Sequence, residues 1–183
     1  MNGGPDDLDE VTRWALRARD GDPLAQSAFV RATQADVWRL AAALVDPGAA
    51  DDLTQDTYLR AFRALDTFEA RSSARTWLLG IARRTCADHL RQVIRRRRLE
   101  NRLAEAAAVT GGFETDAVGL HGAADLVRRL PDERRSAFVL TQLLGLSYEE
   151  AAAVEDVPIG TIRSRVARAR SELVTEVTKA LAV

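Results

Sequence analysis

Residues 70–98 read ARSSARTWLLGIARRTCADHLRQVIRRRR, and this stretch decides the fold. Within it, residues that can form one buried helix face recur at intervals of three or four positions. They are Trp77, Leu78, Ile81, Ala82, Thr85, Cys86, His89, Leu90 and Val93. The spacing predicts an amphipathic helix with one apolar stripe. Burial of Trp77 or of one of its large aliphatic neighbours stabilises a fold by roughly 1.5–3 kcal/mol.

The opposite side of this predicted helix is basic. At about 100° per residue, Arg84 and Arg91 lie near one line, and Asp88 and Arg95 lie beside it. The spacing allows ion pairs between Arg84 and Asp88 and between Asp88 and Arg91. Residues 71–102 hold ten arginines and two acidic residues, a local charge of +8. Such a face is either simply solvated or, as we favour at this excess of charge, a surface for a polyanion such as nucleic acid.

The composition predicts an all-α fold of one domain or two small domains, in 183 residues of which 46% are hydrophobic. Aromatic residues amount to 5%, and the sequence has no alternating runs of Val, Ile and Thr, so we expect almost no sheet. It has no run of about 18 apolar residues and no basic-then-apolar start, so we expect neither a membrane span nor a secretory signal. The single cysteine excludes an internal disulfide and points to a reducing compartment.

The net charge of −1 hides four blocks of alternating sign. Residues 1–70 carry −6, residues 71–102 carry +8, residues 103–157 carry −6 and residues 158–183 carry +3. The two basic blocks predict contacts with nucleic acid at two separated places, and the acidic blocks predict contacts with something else. Lys179 is the only lysine. Arginine suits bidentate contacts to phosphate and guanine, although a GC-rich genome would give the same bias.

Breaks at Gly21 and Pro47 separate the helices that precede the basic one. The predicted helices span residues 7–19, 23–32, 34–44 and 51–65, and a loop follows over residues 66–73. In the fourth helix, Leu59 lies within a polar stripe that consists of Asp52, Gln55, Asp56 and Arg63. An isolated exposed leucine usually has no role. A polar ring around one apolar anchor is, however, also typical of a docking site.

The second half of the chain has the pattern of a helix-turn-helix. Two helices are predicted over residues 120–130 and 131–144, and residues 147–170 then read SYEEAAAVEDVPIGTIRSRVARAR. Ser147 and Glu150 form a capping box at a helix start, and Pro158 precedes a second helix. In such a motif the second helix presents its N-terminal residues to base edges. A basic helical hairpin without a DNA-binding role is the alternative interpretation.

Four segments of the sequence together resemble the extracytoplasmic-function (ECF) type of bacterial RNA polymerase sigma factor. They are DDLTQDTYLRAF from residue 51, SSARTWLLGIARRTCADHLR from residue 72, LPDERRSAFVLTQLLGLSYEEAAAV from residue 130 and VPIGTIRSRVARAR from residue 157. Their order and spacing make the resemblance specific, and it covers about residues 22–173. It implies three parts, which are a region-two-like domain over residues 1–98, a flexible linker over 99–119 and a region-four-like helix-turn-helix domain over 120–183.

The resemblance implies that the chain acts in the cytoplasm on core RNA polymerase, through the β′ clamp helices and the β flap, and on promoter DNA. Many family members are also held by an anti-sigma factor. The residues that match the polymerase-docking segment are Asp51, Asp52, Leu53, Gln55, Asp56 and Leu59. Those that match the part opening the −10 element are Phe68, Arg71, Ser72, Ser73, Arg75, Arg84, Asp88, Arg91 and Arg95. Within Ser147–Arg170, those that match the reader of the −35 element are Pro158, Gly160, Thr161, Arg163, Ser164, Arg165 and Arg168.

Physical chemistry supports this division of roles. Promoter opening takes bases out of the stack at a cost of roughly a few kcal/mol each, and a basic groove with pockets for the extruded bases offsets that cost. We expect the base pocket in the loop over residues 66–73. Trp77 is a stacking candidate by type, but its position beside Leu78 and Ile81 on the helix favours the core.

Four positions depart from the family pattern. The turn of the helix-turn-helix usually carries Gly, but this chain has Asp156, which tolerates a left-handed backbone better than most residues. Glu155 stands where an apolar residue is usual and Ala151 is smaller than usual, so we expect looser packing in the second domain. Arg84 stands where region two usually has Asn, so the −10 preference of other family members does not transfer.

Two other classes of protein fit the sequence less well. An enzyme is not expected, because the chain has no Gly-rich phosphate loop, and Cys86, His89 and His121 do not make a metal site. We therefore predict no catalytic residue, no cofactor and no metal. A dimeric helix-turn-helix regulator that binds an operator would explain the second half, but it gives no role to the basic helix. An adaptor that contacts polymerase without reading DNA also leaves that helix unexplained.

Overall fold

Helices make up the architecture in residues 8–106 and 122–181, which are the part of the chain that the computed structural model describes. No β-strand occurs in these ranges, and the expected all-α fold is confirmed. The helices are α1 (Glu10–Arg19), α2 (Pro23–Leu44), α3 (Ala50–Ala64), α4 (Ala74–Ala106), α5 (Ala123–Arg129), α6 (Asp132–Phe138), α7 (Tyr148–Glu155) and α8 (Ile159–Leu181). We call α1–α4 the N-terminal unit and α5–α8 the C-terminal unit.

The N-terminal unit is a bundle in which α2 and α4 are the central helices. Helix α2 packs against α1, α3 and α4, and its side chains Phe29 and Leu40 are fully buried. The predicted apolar stripe of α4 faces this core through Leu78, Ile81 and Cys86, and Leu79, which the prediction did not include, is buried there as well. Tyr58 of α3 meets Phe29 edge to face with ring centroids 6.5 Å apart, a favourable geometry for aromatic rings.

Helix α2 corrects the expectation of two helices over residues 23–32 and 34–44. It runs unbroken from Pro23 to Leu44, because residues 31–34 contain neither Gly nor Pro. The hydroxyl group of Thr33 donates to the carbonyl of Phe29 at 2.7 Å, so this buried polar group is satisfied inside the helix. Asp22 caps the start by accepting from the amides of Leu24 and Ala25.

Helix α4 is longer than expected. It continues past Arg98 to Ala106, into the residues expected to form a linker. A side-chain pair between Arg96 and Glu100, 2.8 Å apart, supports this extension at helical spacing. The remaining part of the expected linker, residues 107–119, lies outside the described residues, as do residues 120–121 at the expected start of the second domain.

The C-terminal unit contains the predicted helix-turn-helix. Ser147 and Glu150 form the expected capping box at the start of α7. Asp156 follows the last residue of that helix and has a left-handed backbone, φ 55°. It thus adopts the conformation for which Gly is usual at this position of the turn. The expected helix over residues 131–144 is instead α6 followed by a π-helical turn over Val139–Leu143, in which the amide of Leu144 donates to the carbonyl of Val139. Helix α8 continues to the end of the described chain.

The two units pack against each other through α4 and α7 and through α2 with α5 and α6. A single cluster of buried apolar side chains runs through both, from Leu78 in α4 to Ile162 in α8. The basic helix α4 therefore packs against α1, α2 and α3 in its own unit and against α7 in the other. The contact with α7 engages Arg83 of α4, which pairs with Glu155.

Candidate nucleic-acid and polymerase interfaces

The basic side of α4 keeps Arg84, Arg91 and Arg95 exposed to solvent. Asp88 pairs with Arg91, as the spacing predicted, but its other partner is Arg60 of α3 at 2.7 Å rather than Arg84. Arg60 and then Arg91 hold the pKa of the Asp88 carboxyl below its usual value. These side chains line an open cleft of about 310 Å³ between α3 and α4. Sequence analysis missed Arg60, because its partner lies 28 residues away.

The loop between α3 and α4 has one buried residue, Phe68, between exposed residues on either side. Phe68 is 3% exposed, and its ring packs against Trp77 with centroids 4.9 Å apart. Phe68 therefore anchors the loop and does not present an open stacking face. Ala70 has a left-handed backbone, φ 53°. The side chains of Arg71 and Ser72 point into solvent, and Arg71 pairs only with the neighbouring Glu69.

Ser73 and Arg75, which begin the basic helix, already have partners inside the chain. The hydroxyl oxygen of Ser73 accepts from the amide of Thr76 at 3.1 Å and so caps the helix. Arg75 donates through Nε to Asp36 and through Nη2 to the carbonyl of Leu144, both at 2.7 Å. Because Leu144 belongs to the C-terminal unit, Arg75 lies at the junction of the two units.

The predicted docking stripe forms one rim of an open cleft of about 430 Å³. Leu59 is 50% exposed within it, and Asp52, Gln55 and Asp56 surround it as the sequence predicted. His89 of α4 forms the far side of this cleft. The two other docking candidates have structural partners, because Leu53 is buried and Asp51 accepts from the indole Nε1 of Trp38 at 2.8 Å.

Cys86, one turn before His89, is buried in the core of the N-terminal unit. Burial raises the pKa of its thiol to about 11, because the thiolate would lose its hydration there. No group of three His, Cys, Asp or Glu side chains within residues 8–106 and 122–181 could hold a metal ion. His121 lies outside the described residues.

The start of α8 presents most of the predicted −35 residues to solvent. Ile162 and Val166 pack behind this helix and fix its orientation. The residues exposed on the outer side are Pro158, Gly160, Arg163, Ser164 and Arg168, and Thr161 is half-buried beside them. Arg165 differs from these, because its guanidinium binds Glu133 at 2.7 Å and approaches Glu155 at 3.7 Å.

Glu155 joins the two units. Its carboxylate is 5% exposed and accepts from Arg83 of α4 at 2.7 Å and from the hydroxyl of Ser136. With Arg165 also close, the buried charge has three polar partners, which such a charge requires. The unusual acid at this position is thus accommodated at the junction with α4, not left in an apolar pocket.

In the described part of the chain, no helix is both long and apolar enough to cross a membrane. Two family models match the chain. The model described as sigma-70 region 2 matches residues 29–98, and the model described as sigma-70 region 4 matches residues 123–173. The first match begins within α2 and ends within α4, and the second covers α5–α7 and the first part of α8.

Curated relatives match over nearly the whole chain. The ECF RNA polymerase sigma factor SigC of Mycobacterium tuberculosis is 49% identical over 181 residues, which is 96% of each protein. The ECF RNA polymerase sigma-E factor of Escherichia coli is 34% identical over 172 residues, covering 86% of this chain and 88% of the relative.

Two solved structures share the arrangement of helices. The structure of CnrH in complex with the cytosolic domain of CnrY aligns with a TM-score of 0.71 at 26% identity and covers 93% of this chain and 99% of that chain. The sigma factor RpoE from Bartonella quintana, in complex with the anti-sigma factor NepR, aligns with a TM-score of 0.63 at 28% identity and covers 80% and 92%.

Proposed function

The chain belongs to the ECF family of RNA polymerase sigma factors, which direct the polymerase to promoters, and on that premise we propose which surface performs each task. The N-terminal unit docks on core polymerase and opens the −10 element, and the C-terminal unit reads the −35 element. The observation that carries this proposal is the exposed loop tip at Arg71 and Ser72, held between buried anchors beside a helix stretch of charge +8. We propose further that the chain is not an enzyme and acts in the cytoplasm with the polymerase.

The docking surface is the cleft around Leu59. One half-exposed leucine within acidic and amide side chains suits a basic, partly apolar partner surface, which the β′ clamp helices would supply. Asp52 and Asp56 attract such a partner over several ångströms, and Leu59 supplies the apolar contact. His89 borders the same cleft and belongs to the proposed surface.

The −10 surface combines the loop tip with the exposed arginines of α4. Arg84, Arg91 and Arg95 follow the helix and would track the phosphates of the separated strand. Asp88 holds Arg60 and Arg91 in fixed positions through its two ion pairs. We assign Asp88 to the positioning of these cations, because a carboxylate would repel the phosphates.

The −35 surface is the exposed start of α8. Arg163 and Arg168 are free for bidentate contacts to guanine, and Thr161 and Ser164 lie beside them. Arg165 must leave Glu133 and Glu155 before it reaches DNA. The β flap is the proposed polymerase partner of this unit.

The two units must separate for this division to work. The two elements lie about 25 base pairs apart, or about 85 Å of duplex at 3.4 Å per base pair. A folded chain of this size has a radius of gyration of about 16 Å, so the packed arrangement cannot span them. We propose that core polymerase stabilises a separated arrangement in which the contacts of Glu155 with Arg83 and of Arg75 with Leu144 are broken.

RpoE was solved with the anti-sigma factor NepR, and we propose that a protein inhibitor also holds this chain. Such an inhibitor would act by covering the docking cleft or by keeping the two units together.

Multi-round transcription with core polymerase on a pooled library of genomic promoters tests the proposed division. Transcripts that require the chain give the promoters, and their aligned upstream sequences give both elements. The variant Asp52→Ala/Leu59→Ala should bind core polymerase weakly, and Leu24→Ala, which removes a leucine that is also exposed, should bind normally. If the double variant captured as much core polymerase as the wild-type chain does, the docking assignment would be refuted.

Arg163→Ala tests the −35 assignment on the promoters recovered in that experiment. Loss of one bidentate base contact should cost about 1–3 kcal/mol and relax discrimination at one −35 position. Lys179→Ala removes the same charge from the far end of α8 and should leave discrimination unchanged. Unchanged discrimination in Arg163→Ala would contradict the role of this helix.

A further inference from the structure

Helix α1 lies outside the residues that the region 2 model matches, yet it contacts both ends of the loop over residues 66–73. Its residue Thr12 binds the backbone where α4 begins, and its residue Arg19 binds the backbone where the loop leaves α3. We propose that α1 is a clamp that positions the loop for capture of extruded bases. This inference rests on the proposed role of the loop over residues 66–73 in opening the −10 element.

The Thr12 contact is buried and directional. Its hydroxyl oxygen accepts from the amide of Ala74 at 2.8 Å, and both residues are fully buried. The same hydroxyl donates to Oδ2 of Asp9 at 2.5 Å, and Oδ1 of Asp9 accepts from the amide of Thr12 at 3.0 Å. Asp9 thereby accepts the hydrogen bond that the hydroxyl donates, which leaves an oxygen lone pair free to accept from the amide of Ala74.

Thr12 acts as a capping residue for α4, although it lies 62 residues away in the sequence. The first amides of a helix have no partner within the helix and need an external acceptor. Ser73 accepts from the amide of Thr76, and Thr12 accepts from the amide of Ala74. The start of α4, which is the end of the loop, is therefore fixed to α1.

The Arg19 contact fixes the other end. Nη1 of Arg19 donates to the carbonyl of Phe68 at 3.1 Å, and Nε donates to Asp20 at 3.2 Å, which limits the freedom of the guanidinium. The Phe68 ring is buried against Trp77, so side chain and carbonyl are both held. Only residues 69–72 lie between this anchor and Ser73.

Between the two anchors the loop adopts a conformation that a free chain would rarely choose. Ala70 has φ 53°, in the left-handed region that residues other than Gly, Asn and Asp avoid. Such a conformation persists where the surroundings determine it, and such residues cluster at functional sites. A loop that is already ordered loses less conformational entropy when it binds a base, so the clamp favours capture.

Thr12 and Arg19 are positioning residues, because they act through the loop backbone. The test uses holoenzyme reconstituted with core polymerase, on a promoter recovered in the transcription experiment. 2-Aminopurine in the non-template strand of the −10 element reports unstacking by an increase in fluorescence. Thr12→Val and Arg19→Ala should slow this increase roughly ten- to hundredfold, since misplaced contacts of about 1 Å have effects of that size.

Three controls separate positioning from general loss of structure. Thr12→Ser keeps the hydroxyl and should restore the wild-type rate, and Arg13→Ala removes an exposed charge from the same helix and should have no effect. Polymerase affinity should stay within twofold in all variants. Amide hydrogen exchange at Ala74 should accelerate in Thr12→Val alone, which shows that the contact was broken.

Wild-type unstacking rates in both Thr12→Val and Arg19→Ala, with accelerated exchange at Ala74 in the former, would overturn the clamp and leave the proposed function intact. If Thr12→Val fails to fold, the unstacking rate of Arg19→Ala alone tests the clamp, because the Arg19 side chain lies at the surface and its removal should not unfold the chain. Wild-type holoenzyme that produces no fluorescence change in the −10 element would overturn the proposed role of the loop and the clamp with it.

Discussion

The contacts that stabilise the N-terminal unit internally differ in kind from those that stabilise the C-terminal unit. The N-terminal unit buries large apolar side chains on α2, α3 and α4, among them Phe29, Leu40 and Leu78, with aromatic rings in direct contact. The C-terminal unit also buries side chains such as Ile162, but its helices α5–α7 have only seven or eight residues each, and ion pairs join several of its helices, such as Arg134 with Glu172. Exposed pairs contribute about 0–1 kcal/mol each, whereas a buried large side chain contributes roughly 1.5–3 kcal/mol.

This difference indicates which unit depends on the other. We expect the N-terminal unit, with large apolar side chains buried between its own helices, to keep its shape when a partner separates it from the C-terminal unit. The C-terminal unit places a buried carboxylate, Glu155, at the contact, and that charge needs Arg83 or a substitute. We therefore expect the C-terminal unit to lose order first when the contact is broken.

The largest expected effect is on the core of the N-terminal unit. Leu78→Ala removes a fully buried side chain of α4 and should lower the free energy of unfolding by about 2–5 kcal/mol. Urea unfolding followed by circular dichroism measures this change. Leu59→Ala, at a half-exposed leucine of the neighbouring helix, should change stability by less than about 0.5 kcal/mol. Equal effects of the two substitutions would contradict the description of this unit.

The next effect concerns the contact between the units. Arg83→Ala and Glu155→Ala should each destabilise the C-terminal unit, and a double-mutant cycle should give a coupling of about 0.5–3 kcal/mol. Urea unfolding of the two single variants and the double variant supplies the numbers. Additive effects would show that this pair does not hold the units together.

A smaller effect is expected at the start of α7. Ser147→Ala removes the capping oxygen that accepts from the amide of Glu150 and should cost about 0.5–2 kcal/mol. Hydrogen exchange at Glu150 should accelerate, while amides of α2 keep their protection. Faster exchange in both units would mean that they unfold together, which would remove the contrast between them.

The smallest expected effect is the labelling of Cys86 in the wild-type chain, which should be slow. Burial and the raised pKa, about 11, keep this thiol protonated and covered at pH 8, so a disulfide reagent should react only when the N-terminal unit opens. Arg83→Ala should leave the labelling rate nearly unchanged, and Leu78→Ala should raise it strongly. Rapid labelling of the wild-type chain would contradict the buried position.

Local patterns predicted the features that depend on neighbouring residues. The apolar stripe of α4, the half-exposed Leu59, the capping box at Ser147 and the left-handed Asp156 all follow from spacing or from one residue type. The break expected near residue 33 was wrong, because no Gly or Pro interrupts the helix there and its buried face continues from Phe29 through Thr33 to Val37.

The features that sequence analysis missed join residues far apart in the chain. Arg19 reaches Phe68 across 49 residues, Thr12 reaches Ala74 across 62 and Arg83 reaches Glu155 across 72. No periodicity encodes such pairs, since they exist only once the helices are packed. The one available indication was Glu155, a charge at a position where the family resemblance implies an apolar residue.

In the proposed division of roles, the loop and α8 read different promoter elements. A photocrosslinking amino acid in place of Arg71 or Arg163, in holoenzyme bound to a recovered promoter, tests this division. We expect position 71 to crosslink to the non-template strand of the −10 element and position 163 to crosslink to duplex about 25 base pairs upstream, or about 85 Å away. Crosslinks of both positions to one element, or of position 71 to upstream duplex alone, would refute the division.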